Sequence, residues 1–388
     1  MITPTHYIVV RLRTFINRFR HKVRLLHLCN YVLFILFCYI FLLNMESDIL
    51  ALSFHKLTKH YLPDIAGSCA LLFTLLFTFV HVGINQLLHL KGRNHAISFL
   101  PSFLCLAFLT GIVPESTHLH YIPLIIGLAA FVLLTLFRPR SFRPHDCFWT
   151  MALPNAICML AGILFVTLVS NTDDRLHYEL RIQRHLQRNQ YVQAMNTGSR
   201  SLTSGRRLLA LRALALSRAG QMGERLFEYP IDSASTDLFL HPGDAGMMIL
   251  PPDSLMPVPG FMPSEQNYLN ELEKKVQQLR GKNPLTDYWL CTLLLQKRLD
   301  DFAQWLPRFY GDITDTSGNH LPRHYREALI LYLSLFIHPR IIYRGTPAEI
   351  TNYSDFMELS EKYSDYTERR NRTRRLYGNT YWWHYYFN

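Results

Sequence analysis

Apolar residues are unevenly spread along the chain. Up to residue 171 they gather into long uninterrupted runs, at about 25–45, 65–90, 96–113, 121–137 and 148–170. A helix needs roughly 20 mostly apolar residues to cross the hydrocarbon core of a bilayer, so these runs predict five transmembrane helices. The third and fourth are short, which suits a tight hairpin through "PESTHLH" (114–120) with little tilt. From residue 171 to 388 the pattern changes to a 3.6-residue alternation, the mark of amphipathic helices. The predicted fold is all-α: an N-terminal bundle of five transmembrane helices followed by a soluble helical domain.

Basic residues in short loops set the direction of insertion. Arg11, Arg13, Arg18, Arg20, Lys22 and Arg24 precede the first run, Lys91 and Arg93 lie between the second and third, and Arg138, Arg140 and Arg143 between the fourth and fifth. The alternate loops carry only Lys56 and Lys59. This places the N-terminus in the cytoplasm and residues 171–388 outside it, in the periplasm of a bacterial inner-membrane protein. "FLLNMESD" after the first run has no small-x-small cleavage site, so the run reads as an anchor. In the arm 1–24, Ile8, Leu12, Phe15, Ile16, Phe19 and Val23 share a helical face, a pattern that fits either a helix lying on an anionic leaflet or an extension of the first span. "SDILALSFHKLTKHYLPD" reads as an interfacial helix ended by Pro63.

In the second half, "RNQYVQA" (188–194), "AGQMGER" (219–225) and "QKRLDDFAQ" (296–304) each close one helix and open another. Such turns resemble those inside tetratricopeptide helix pairs. They begin at residues 188, 219 and 296, with no constant period, so the domain is either a degenerate repeat array or an irregular bundle. The Pro- and Gly-rich stretch at about 229–263 predicts an extended connection packed over the helices, long enough to line a groove. The segment "YGNTYWWHYYFN" (377–388) is too short to cross a bilayer and too aromatic to stay exposed. It is expected to be covered, foremost by a groove of the protein itself with Trp382 and Trp383 as anchors, or else by the bilayer interface, with Tyr385 and Tyr386 as further candidate interface residues.

The formal net charge of +11 narrows the partners. Residues 1–171 hold thirteen basic and five acidic groups, and the rest of the chain 27 and 24. The excess therefore belongs to the apolar half, where topology accounts for it, and nucleic acid is not an expected partner. The seven cysteines include no CxxC pair, so neither a zinc ribbon nor a thioredoxin-like centre is expected. "HLPRH" (320–324) lacks the glutamate of a metalloprotease helix, and "GSRSLTSGRR" (198–207) lacks the Lys-Ser/Thr of a phosphate loop. No cofactor or metal is expected. His81, Asn85 and Gln86 in the second run read as interhelical hydrogen-bonding groups, with an ion path as the sharper reading.

"SDILALSFHKL", "SFLPSFLCLAFLTGI" and "GNTYWWHYYFN" are similar to segments of uncharacterised multi-pass membrane proteins of Bacteroidetes. That resemblance implies location and architecture only. The leading functional expectation is an uncharacterised integral membrane protein, a scaffold or binding protein whose partners are the lipid bilayer and an envelope protein or polymer. The alternative is a glycosyltransferase-like envelope-glycan enzyme using Glu46 and Asp48, the acidic residues at the exit of the first span.

Overall fold

Runs that lack interior glycine and proline propagate as helix until something stops them, and the first run shows it. With no Gly or Pro between residues 5 and 44, α1 is one helix from Pro4 to Asn44. The basic arm is thus the N-terminal part of this helix and not a separate element. The computed structural model describes residues 4–58, 65–90, 92–111, 121–137, 148–171, 173–232, 236–311, 313 and 321–388. The expected "PESTHLH" hairpin, Pro63, Lys59, Lys91 and the basic loop with Arg138, Arg140 and Arg143 lie outside the described residues, as do the side chains of residues 1–20 and of Lys56. Two compact units divide the chain, Met1–Thr172 and Asp173–Asn388. All regular structure among the described residues is helical.

In the N-terminal unit, α1 is followed by α2 (Ser47–Thr58), α3 (Ile65–Leu88), a 3-10 stretch (Gly92–Phe99), α4 (Leu100–Thr110), α5 (Tyr121–Leu136) and α6 (Phe148–Val169). Among the described residues, three helical segments are long and apolar enough to cross a membrane: His21–Asn44, Gly67–Leu88 and Phe148–Val169. The expected third and fourth spans fall short. Pro101 sits in the first turn of α4, where its missing N–H costs nothing, and the residues before it wind as a 3-10 helix. That leaves α4 with 11 residues and α5 with 16.

Aromatic rings hold the unit together. Phe34 packs against Phe99 at 5.1 Å and edge-on to Phe103 at 5.2 Å, all three buried. The opposite faces of α3, α5 and α6 turn Leu72, Phe79, Ile125, Leu128, Trp149 and Leu160 outward. Apolar surface on this scale is foreign to a protein that meets only water. At Gly162, α6 comes so near α4 that an added Cβ would lie 2.5 Å from Cδ2 of Phe103. Gly162→Val should therefore lower the thermal stability of the detergent-solubilised protein by about 1–3 kcal/mol, the usual cost of overpacking. A melt indistinguishable from that of the parent would contradict this packing.

The C-terminal unit starts with α7 (Asp174–Gln187), α8 (Tyr191–Asn196), α9 (Arg206–Arg218) and α10 (Met222–Arg225). After the connection come α11 (Pro252–Leu255), α12 (Tyr268–Gln277), α13 (Pro284–Leu295), α14 (Leu299–Tyr310), α15 (Arg323–Leu335), α16 (Pro347–Glu361), α17 (Tyr366–Tyr377) and α18 (Tyr381–Phe387). The three turns that look alike in sequence share one geometry. Asn189, Gly220 and Lys297 adopt φ values of 56°, 65° and 58°. The following N–H groups, of Gln190, Gln221 and Arg298, reach back to the carbonyls of His185, Leu216 and Leu293 at 2.8, 2.8 and 2.9 Å. This is the Schellman ending, which satisfies carbonyls that a helix terminus leaves open. Along the 229–263 connection, Leu238, Phe239, Leu240, Met248, Leu250 and Leu255 all enter the unit's single core. Its described part is largely irregular chain whose apolar residues pack with the helices.

Candidate functional site

The C-terminal aromatic segment is a helix, α18, started by Thr380, whose side chain accepts the Trp383 N–H at 3.2 Å. Tyr381, Trp382, Trp383 and Phe387 are only 0, 2, 5 and 6% exposed, while Tyr385 and Tyr386 are half-buried. Hydrogen bonds fix its position. The Tyr381 N–H donates to Oε2 of Glu327 at 2.7 Å, the Trp382 indole to the Glu327 carbonyl at 2.8 Å, and the Tyr381 hydroxyl to the Leu294 carbonyl at 3.0 Å. Buried aromatic residues with polar tips need such partners. The arginines of α17 complete the cover. Arg370 and Arg374 lie over the Trp383 ring at 5.7 and 5.3 Å, close enough for cation–π attraction.

Glu327 is the centre of this arrangement. Its Oε1 accepts from Arg323 Nε at 2.8 Å, and its Oε2 meets His324 Nδ1 at 2.9 Å as well as the Tyr381 N–H. Burial alone would raise its carboxyl, but His324, Arg323 and the Tyr381 N–H outweigh burial and hold it below the ordinary range. The buried carboxylate thus meets the N-terminus of α18, where a negative charge is favoured. Sequence pointed to "HLPRH" for its histidines. His320 lies outside the described residues, and the group that matters is the glutamate three positions after His324. Its partner Tyr381 is 54 residues away, so no local signal reveals the pair.

Two further buried clusters lie in the same unit. Asp287, at the start of α13, accepts from the hydroxyls of Tyr310 at 2.6 Å and Tyr325 at 3.0 Å. Burial raises this carboxyl despite those donors and the nearby Lys282. His241 has Nε2 on Asp237 and Nδ1 facing the Pro263 carbonyl at 3.0 Å. Both ring nitrogens face acceptors, so neither is left to take a proton from a substrate. The Asp–His pair resembles part of a hydrolase triad in composition, but its geometry ties down the connection after Asp237.

In the N-terminal unit the polar residues cluster around Asn155 of α6. Its carboxamide oxygen accepts the Ala96 N–H at 2.7 Å and the Asn30 amide at 3.3 Å. Its amide nitrogen donates to the carbonyls of Met151, Gly92 and Arg93 at 2.7, 2.9 and 3.2 Å. One side chain thereby satisfies the backbone of the 3-10 stretch, which lacks the regular ladder of an α-helix. Around it, His27 stacks on His95 at 3.7 Å, and His81 stacks on Phe99 at 3.5 Å while its Nδ1 meets Ser98 Oγ at 3.1 Å. Glu46 and Asp48, at the junction of α1 and α2, are 2 and 0% exposed. Among the described residues, no three His, Cys, Asp or Glu side chains come together in a way that could hold a metal ion.

The Glu327 anchor, the Asp287 cluster and α18 all fall in one continuous stretch of the chain. No curated protein and no solved structure matches the sequence. Residues 253–388, which hold all three features, match the model of a family of unknown function (DUF6057).

Proposed function

We propose that the chain is an integral protein of the bacterial inner membrane that presents its C-terminal helical unit in the periplasm, as a scaffold or binding domain for an envelope protein or polymer. The observation that carries this reading is the contrast between the two units. One turns long apolar helices outward, and the other buries its own core. Three crossings, like five, are an odd number, with α4 and α5 entering as a short pair between the second and the last. The basic loops of the sequence then lie on the cytoplasmic side.

The enzyme alternative is weaker on this geometry. Glu46 and Asp48 would have to reach a lipid-linked sugar, and both side chains are enclosed. The Asp237–His241 pair offers no free ring nitrogen, and Glu327 is committed to the tail.

The orientation has a direct test. Alkaline phosphatase fused after Asn388 should be active in cells, and the same reporter inserted within residues 138–146 should be inactive. The reverse pattern would put the helical unit in the cytoplasm and overturn the proposal.

A further inference from the structure

The Gly/Ser/Arg-rich loop between α8 and α9 finds a role when its neighbours are considered. Ser199, Arg200, Ser201 and Leu202 form one wall of a cavity of about 130 Å³. The turn Phe227–Pro230 forms the second wall, and Arg374, Gly378, Trp383, His384 and Asn388 form the third. A single water needs only about 10–15 Å³ of such space, so a group of several heavy atoms fits. The loop is held in place from below, because the buried Arg212 donates to the Gly198 carbonyl at 3.1 Å.

Two arginines set the charge of the walls. Arg200 and Arg374 have no ion-pair partner among the described residues. The one acidic side chain in the lining, Glu228, is already engaged by Arg225 at 2.9 Å and Arg323 at 3.8 Å, and the main-chain oxygen of Asn388 accepts from Lys297 Nζ. His384, 5% exposed, supplies the most telling group. The Asn388 side-chain amide donates to its Nδ1 at 3.0 Å. Burial, with Lys297 and His324 nearby, pushes the ring down to about 3, so it is neutral at physiological pH. With that amide as the donor, the ring's proton resides on Nε2. That buried N–H has no acceptor among the described residues. A buried donor left without a partner costs about 1–3 kcal/mol, and a bound ligand can remove that cost.

We propose that this pocket binds a small oxyanion, a phosphate or carboxylate group, between Arg200 and Arg374 with the His384 Nε2–H as its buried donor. A free anion and the head of a larger lipid share this chemistry, and the test below separates the two sources. Guanidinium groups suit such ligands because their N–H fork matches two oxygens at once. Because α18 supplies His384 and the chain beyond it supplies Asn388, occupancy also ties the tail to the 199–202 loop. None of this depends on which side of the membrane the unit faces.

The test uses the full chain in a non-ionic detergent. Inorganic phosphate, acetate and dihexanoyl phosphatidic acid are each titrated against sodium chloride of equal ionic strength, with melting temperature and calorimetry as readouts. At least one oxyanion should raise the melting temperature beyond the chloride control. A response to phosphate or acetate assigns a free anion, and a response to the phosphatidic acid alone assigns a lipid headgroup. Arg374→Gln and Arg200→Gln should each weaken that binding by about tenfold or more, as expected for losing a charge-assisted contact. Arg200 is exposed and in a loop, so its variant folds even if Arg374→Gln, which also loses its stack on Trp383, does not. Three oxyanions no better than chloride, or an Arg200→Gln protein that binds like the parent, would overturn the proposal.

Discussion

A protein lacking residues 381–388 should have no cooperative thermal transition in its C-terminal unit. Four of the removed side chains, Tyr381, Trp382, Trp383 and Phe387, are buried in the core. Burying each contributes about 1.5–3 kcal/mol, so the deletion removes roughly 6–12 kcal/mol. The whole stability of a typical domain is only about 5–15 kcal/mol. The unfolded chain already hides some of this surface, which lowers the loss but leaves it comparable to that total. A second loss adds to it, because Glu327 keeps its buried charge but loses the Tyr381 N–H. Far-ultraviolet circular dichroism and limited proteolysis of the detergent-solubilised protein would show the effect as rapid cleavage between residues 284 and 377. A truncated protein that melts and resists protease like the parent would mean that the tail acts on a partner and not on its own unit.

Mild acid should weaken the same unit, and His384 should account for the first part of the effect. Its ring is held down to about 3 in the folded state by burial, with Lys297 and His324 contributing. An unfolded histidine titrates near 6.5, so below that pH the unfolded state takes up a proton that the folded state refuses. The stability tied to the neutral ring is thus complete above about pH 6.5 and is lost as pH falls toward 3. Between pH 6.5 and 5 the loss is about 2 kcal/mol, at about 1.36 kcal/mol per pH unit. Glu327, held below the ordinary carboxylate range, adds acid sensitivity only at lower pH. Asp287 and Glu179, raised by burial, act in the opposite direction and begin above the ordinary carboxylate range, because protonation relieves their cost. The comparison with a His384 variant therefore isolates the histidine. Urea midpoints measured at pH 7 and pH 5 should differ clearly for the parent and much less for His384→Phe. Equal slopes in the two proteins would remove His384 from this account.

The sequence made some of this visible and hid the rest for identifiable reasons. Long apolar runs announce helices wherever they are uninterrupted, as in α1, α3 and α6. Hydropathy averages over a window, so it could not see that Gly92–Phe99 winds tightly around Asn155 and delays α4 to Leu100. The three Schellman turns were legible because left-handed residues and their flanks are local. The aromatic content of 381–388 showed that the segment needed cover, but its receptor could not be read. Glu327, Leu294 and Lys297 lie 54 to 91 residues from the groups they hold. Asn155 looked like one polar residue in a run of apolar ones, and its five partners exist only once α1, α6 and the 3-10 stretch are assembled.

Docking α18 into the core also sets a schedule for biosynthesis. Glu327 is translated 54 residues before Tyr381, which at 5–20 residues per second is an interval of roughly 3–10 s. Throughout it the carboxylate and the apolar groove around Phe227 and Phe356 lack the rings that pack on them in the folded unit. In a nascent chain this core should stay open until α18 has been made, and a product that stops before residue 381 should leave the ribosome with the groove open. Such fragments present the exposed apolar surface that chaperones and proteases recognise. The position of α18 thus makes completion of the chain a condition for closing this core, and chains that stop before residue 381 should be degraded faster than those that pass through Phe387.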